Sequence, residues 1–183
     1  MKRPIRWIAL AVGIFAVVFG VVLAVQHKPA SPSVPRLVLE HRPVPTFTLK
    51  SLDGKPISST SLKGKAYVVN FFNSWCIPCQ AEAPALKAFY AEHAKDPDFA
   101  MVGIIINDDA STVNTYVHTQ HMTWPVGSDP NGAASLSFGT TGQPETYVIA
   151  PDGTAVCGAL GASTQAELDT WLQAARDGQE CTG

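Results

Sequence analysis

The stretch 73–84 reads NSWCIPCQAEAP, and its two cysteines, Cys76 and Cys79, stand behind Trp75 with only Ile77 and Pro78 between them. Cysteines at this spacing can form half of a tetrahedral zinc site, tie a tight crosslink, or cycle between dithiol and disulfide. A zinc site would want a second close pair, but the other two cysteines, Cys157 and Cys181, lie far apart in the sequence. Redox cycling sets its own demands. The attacking thiol has to sit exposed at the start of a helix, where unpaired N–H groups and the helix dipole favour the thiolate. The second thiol, three residues on and one turn deeper, can then resolve a mixed disulfide. Cys76 and Cys79 suit those two roles, and Pro78 suits a first helical turn because the N–H it lacks would be unpaired there anyway.

The elements around the pair follow from hydrophobic patterning. Residues 66–72, AYVVNFF, form a short run, apolar but for Asn70 and rich in β-branched and aromatic side chains, which suits a strand buried on both faces. From Cys76 the apolar positions Ala81, Ala85, Leu86, Phe89 and Tyr90 recur at helical spacing to about His93, with Pro84 expected to kink the helix. A second buried strand is predicted over 100–106 and a weaker helix over 111–120, and 128–132 reads as turn chemistry. Upstream, 47–52 alternates into the turn Asp53-Gly54; downstream, Pro151-Asp152-Gly153 joins strands 146–150 and 154–160 into a hairpin. Ser163 is the expected cap of a final helix ending near Gly178. Strands alternating with helices predict an α/β fold with a mixed, mostly parallel central sheet and an antiparallel edge. A CxxC between the first buried strand and its helix is the thioredoxin-like arrangement.

The whole chain of 183 residues carries 46% hydrophobic and 15% charged residues and a formal net charge of −2, so it has material for a core and no basic field for nucleic acid. Lys2, Arg3 and Arg6 precede a run, 7–25, that contains no charged residue and as a helix spans about 28 Å, close to the apolar thickness of a bilayer. The expectation is a cytoplasmic N-terminus at 1–6, an uncleaved transmembrane signal anchor at 7–25, a Pro/Ser linker at 26–40 and a folded domain at 41–183 outside the cytoplasm. A cleaved signal peptide is the alternative, although its apolar region is usually shorter. All four cysteines fall in the exported part, where disulfides persist. A Cys157–Cys181 bond is expected there, because the final helix runs back along the strand it leaves; a buried free Cys157 is the alternative.

Trp75-Cys76-Ile77-Pro78-Cys79 with Glu82 and Pro84 resembles the WCxxCxxExP motif of membrane-tethered thioredoxin-like proteins of the TlpA, ResA and CcmG (DsbE) groups. The resemblance covers about 42–176. Val44-Pro45-Thr46-Phe47-Thr48-Leu49 with Leu52-Asp53-Gly54 is similar to their opening PxFxLxxLDG, and Asn70 stands where CcmG-like proteins carry asparagine and ordinary thioredoxins aspartate. Residues 138–146, FGTTGQPET, are similar to the CcmG fingerprint GVxGxPET, with Thr140-Thr141 as a departure.

The resemblance implies a cis bond before Pro144 beside the dithiol, with backbone free to pair with a bound peptide. It also places Glu82 and Glu145 near the pair, where they would raise the thiols' proton affinity. The implied activity is that of an extracytoplasmic thiol:disulfide oxidoreductase working as a reductant. Its implied substrates are the CxxCH cysteines of apocytochrome c; its implied electron donor is a membrane thiol transporter; it needs no cofactor beyond the Cys76–Cys79 couple. Alternatives are a TlpA-like reductase for copper-site cysteines of an oxidase and a non-enzymatic copper assembly factor. For the latter, His118 and His121 read as two exposed histidines at a helix end, and copper chaperones of this fold use CxxxC. No cysteine has the Pro-x-x-x-Thr/Ser-x-x-Cys setting of a peroxidatic thiol.

Overall fold

The computed structural model describes residue 39, residues 41–181 and, near the N-terminus, residues 7, 12–15, 17 and 19. The chain divides into two units, 1–33 and 34–183. In the first, the described residues are helical and exposed. Among the described residues no helix is long and apolar enough to cross a membrane; the rest of the expected anchor 7–25, and nearly all of the linker 26–40, lie outside them.

The second unit is built on one eight-stranded sheet. Its strands are β1 (Arg42–Pro43), β2 (Thr48–Ser51), β3 (Pro56–Ser58), β4 (Ala66–Phe72), β5 (Phe99–Ile106), β6 (Val126–Asp129), β7 (Glu145–Ile149) and β8 (Thr154–Leu160), in the order β1-β8-β7-β4-β5-β6-β2-β3. Its helices are α1 (Ile77–His93), α2 (Ala110–Thr119), α3 (Ala133–Phe138) and α4 (Gln165–Asp177). The expectation of a mostly parallel sheet is corrected. Only β4–β5 and β5–β6 run parallel, and every other pairing is antiparallel. Helical crossovers keep the centre parallel, whereas one flank is the β7–β8 hairpin with β1 outside it and the other is β2 and β3.

Alternation along the strands splits the interior into two layers. On one face Val68, Phe72, Met101, Ile105 and Val148 pack against Leu86 and Phe89 of α1 and Leu168 and Leu172 of α4. On the other, Tyr67, Val69, Phe71, Ile104, Tyr147 and Ile149 pack around Phe138 of α3. Every residue of β4 is buried, Asn70 included, as a run apolar at its other six positions predicts. Helix α1 runs without interruption through Pro84.

The N-cap of α4 is Thr164, not Ser163: its side chain accepts from the Glu167 N–H, and the Glu167 carboxylate accepts in return from the Thr164 N–H. Strands β3 and β6 and helix α3 had no clear signature. The first two are only three and four residues long, and α3 is a single six-residue piece bounded by Gly132 and Gly139, both left-handed. Beyond α4, Cys181 donates its N–H to the Val156 carbonyl (3.4 Å) and is joined to Cys157, with Cα atoms 5.4 Å apart.

Candidate active site

Strand β4 delivers the chain to the rim of the sheet, and the turn 73–76 hands it to α1. That turn is pinned at several points. Asn73 Nδ2 donates to the Ile106 carbonyl (2.6 Å), the N–H and hydroxyl of Ser74 both donate to Asp108 (2.8 and 2.9 Å), and Gln80 Nε2 donates to the Ser74 carbonyl (2.8 Å). The end of β5 thus fixes where α1 begins. Cys76 is the N-cap, its Sγ accepting from the Cys79 N–H at 3.2 Å, and Pro78 occupies the first turn. Cys76 and Cys79 are joined, with Cα atoms 5.2 Å apart.

Cys76 is not the exposed thiol the sequence leads one to expect. In the joined state it is 5% exposed and Cys79 2%, because the N-cap geometry folds Sγ back over the helix end. What reaches solvent is the apolar pair that brackets it, Trp75 and Ile77, 64% and 77% exposed. The Gln143–Pro144 bond is cis, and Pro144 is buried.

The two acids part company. Glu82, one turn beyond Cys79 on the inner face of α1, is almost fully buried. Its Oε2 accepts from Asn70 Nδ2 (3.2 Å) and its Oε1 from the Ser163 N–H (2.8 Å), and the same Asn70 amide donates to Thr146 Oγ1 (2.9 Å). Burial pushes the Glu82 carboxyl above the usual glutamate range, with the bonds from Ser163 and Asn70 opposing it in part.

Glu145 does not belong to this group, which corrects the expectation that both acids flank the dithiol. It precedes Thr146 on β7, so its side chain takes the opposite face, with Tyr147. There Glu145 Oε1 accepts from the Tyr147 hydroxyl (2.6 Å) and Oε2 from the Thr141 N–H (3.0 Å). The Tyr147 hydroxyl is held well above its ordinary range by burial and by that carboxyl. Asn73, Ser74, Asp108 and Ser163 were not legible as site residues. Short polar side chains at strand ends and before helices look like ordinary turn and cap chemistry, and only the fold shows that they converge.

Elsewhere, His118 and His121 are exposed at the end of α2. Among the described residues, the group able to offer three ligands to a metal is Glu92, His93 and Asp169, and the His93 ring is already engaged by Asp96 (3.1 Å) and Asp169 (3.0 Å).

The Glu82 carboxyl supports a test of this layout. If it lies behind the dithiol as an anion, Glu82→Gln should move the alkylation-versus-pH curve of the reduced protein to lower pH by about one unit, the scale of a lost like-charge neighbour. Glu145→Gln, on the far face, should leave the curve in place. Stability should change as well. The native state holds the Glu82 proton more tightly than the unfolded chain, so native stability falls as pH rises from the ordinary value of 4.5 through the raised one. Denaturant melts of Glu82→Gln across that window should lack this decline.

A disulfide-forming pair at the N-terminus of the helix that follows a central strand, backed by a buried carboxyl, defines a thioredoxin-like thiol:disulfide oxidoreductase. The sequence profile of the AhpC/TSA family matches residues 41–156, and the chain belongs to that family, among its thioredoxin-like oxidoreductases of the TlpA, ResA and CcmG kind. It is similar to the thiol:disulfide interchange protein CycY of Rhizobium leguminosarum bv. viciae, with 35% identity over 117 residues, 63% of this chain and 61% of that protein. The match therefore spans less than two thirds of the length of CycY. It is similar also to the thiol-disulfide oxidoreductase ResA of Oceanobacillus iheyensis, with 30% identity over 132 residues, 70% of this chain and 68% of that protein. Among solved structures, a thioredoxin-family thiol:disulfide interchange protein from Chlorobium tepidum superposes with a TM-score of 0.67 at 35% identity, covering 73% of this chain and 94% of that one.

Proposed function

We propose that this protein is a membrane-anchored, extracytoplasmic reductant that keeps the CxxCH cysteines of apocytochrome c reduced for haem attachment, and that a membrane thiol transporter re-reduces it. The observation that carries the reading is a hydrogen-bonded line, Thr146–Asn70–Glu82, behind Cys79. It joins the three separate stretches in which the chain resembles the CcmG group, namely the asparagine on β4, the acid of WCxxCxxExP and the last residue of the PET fingerprint.

In the working cycle the Cys76 thiolate attacks one sulfur of a substrate disulfide. A Cys76–substrate bond forms and the substrate disulfide breaks, releasing one substrate thiolate. Cys79 then gives up its proton toward the Glu82 carboxylate and attacks Cys76 Sγ, releasing the second substrate thiolate. The substrate gains two electrons and, as its thiolates protonate, two protons, while the pair here becomes the Cys76–Cys79 disulfide. The transporter's dithiol reverses that oxidation and is itself oxidised. Trp75 and Ile77 offer a low-charge platform for a peptide beside the attacked sulfur. The apolar run 7–25 holds the domain at the membrane where such a donor resides.

Deletion of the protein should abolish haem-stained c-type cytochromes, and an added small-molecule thiol reductant should restore them. Normal cytochrome c in the deletion strain would defeat the maturation role while leaving the oxidoreductase chemistry standing.

A further inference from the structure

Ser163 stands at the end of the loop that leads from β8 into α4, just before the Thr164 cap, and is 4% exposed. Its N–H donates to Glu82 Oε1 at 2.8 Å. Its hydroxyl is buried with no hydrogen-bond partner, on the same residue whose N–H reaches that carboxyl. A buried donor without a partner is uncommon and destabilising where nothing compensates it. The Glu82 carboxyl, 2.8 Å from the Ser163 N, sits in a setting that penalises its charge.

The other groups around Glu82 are Asn70 of β4 and, through it, Thr146 of β7, both neutral. Cys79 lies one turn before it on α1. On α2 stands Tyr116, whose buried hydroxyl also has no hydrogen-bond partner and whose proton affinity is raised by burial and by the Glu82 charge. When Glu82 takes the form of a carboxylate it needs more than the two neutral donors it now has. Ser163 Oγ, buried, without a partner and on the residue whose N–H already donates to that carboxyl, can serve as a third.

We propose that Ser163 is a positioning residue for the dithiol's proton acceptor: its N–H fixes the Glu82 carboxyl behind Cys79, and its hydroxyl is the donor that receives the ionised form. This rests on the reading of Cys76–Cys79 as a working dithiol with Glu82 as its base. It gives the loop into α4 a direct part in thiol chemistry carried on α1, beyond its part in starting a helix.

The test is a carbon-13 NMR titration of the Glu82 carboxyl in the full-length chain, oxidised and reduced. Ser163→Ala is expected to raise the proton affinity of Glu82 about tenfold, one pH unit, the value of one hydrogen bond to a charged group. The resolving step, followed as release of the second thiol from a mixed disulfide at neutral pH, is expected to slow. Ser163→Thr, which keeps the hydroxyl, should restore both. In a Glu82→Gln background Ser163→Ala should change neither the alkylation-versus-pH curve nor the rate. A structural role alone would lower the melting temperature without moving the Glu82 titration. A Ser163→Ala titration that overlays the wild type in a folded protein overturns the inference, and so does a folded Ser163→Thr variant that behaves as the alanine does. Failure of the underlying reading shows differently: Cys76→Ser would then still turn over substrate, whatever the Ser163 variants do.

Discussion

Replacing Cys76 with serine is expected to bring disulfide turnover to the uncatalysed rate, a loss on the order of 10^3-fold or more, as when a covalent nucleophile is removed. The reason is chemical as much as geometric. A hydroxyl forms no bond to sulfur that a second thiol can displace, so neither half of the cycle can start. The fold should survive, because Cys76 is an N-cap residue and serine is a favoured N-cap whose oxygen can take over the bond that Sγ now accepts from the Cys79 N–H. Far-UV circular dichroism should therefore match the wild type while reduction of a disulfide-bonded peptide by the variant falls to background. A variant that retained turnover would remove Cys76 from the mechanism. The Trp75 and Ile77 flanks would then have to be explained as something other than a rim around an attacked sulfur.

The second large effect is on stability. Cys181→Ser is expected to destabilise the oxidised protein by about 3 kcal/mol, the chain-entropy value for a loop of this size. For a domain of this length that is roughly a 10 °C fall in melting temperature. Cys181 is the better partner to change, because it is only partly buried and serine can sit there in contact with water. Serine at Cys157 would add a buried hydroxyl to an apolar layer formed with Val148, Leu168 and Leu172. Losing the crosslink leaves the tail beyond Gly178 to the Gln179 N–H on the Ala174 carbonyl, the Cys181 N–H on the Val156 carbonyl and the contact of Glu180 with the His41 ring (3.1 Å). Thermal melts of the oxidised wild type and variant measure the difference directly. Equal melting temperatures would mean that the loop is already closed by packing.

What could be read from the sequence was what one stretch of residues carries by itself. Residues 66–72 are apolar but for Asn70, the composition of a strand covered on both faces. The spacing of Ala81, Ala85, Leu86, Phe89 and Tyr90 predicted the helix and the cysteines at its start, but of these five only Leu86 and Phe89 are buried, and the inner face runs instead through Cys79, Glu82 and Ala83. The capping box Thr164-x-x-Glu167 was equally open to reading, and taking Ser163 as the cap missed it by one residue.

What could not be read depends on partners distant in the chain. Glu82 looks like a surface acid until Asn70, twelve residues earlier, and the Ser163 amide, eighty-one residues later, close around it. Glu145 and Thr146 are adjacent, and the resemblance places the whole PET segment at the site. The pleat of β7 sends Thr146 to the dithiol's side and Glu145 to the other, and only the pairing of β7 with β4 decides which is which. Strand β6 depends on neighbours in the same way. Its Gly127 lies so close to Leu49 that a Cβ there would stand 3.0 Å from it, a constraint set by β2 and not by the local sequence.

The central claim is that Cys76 and Cys79 form a directional couple in which Cys76 meets the substrate. The most direct measurement incubates the reduced Cys79→Ser variant with an oxidised CxxCH peptide and maps the product by mass spectrometry. The prediction is a stable mixed disulfide between Cys76 and the peptide, with none formed by Cys76→Ser under the same conditions. A peptide trapped on Cys79 in the Cys76→Ser protein, with Cys79→Ser left unmodified, would contradict the account.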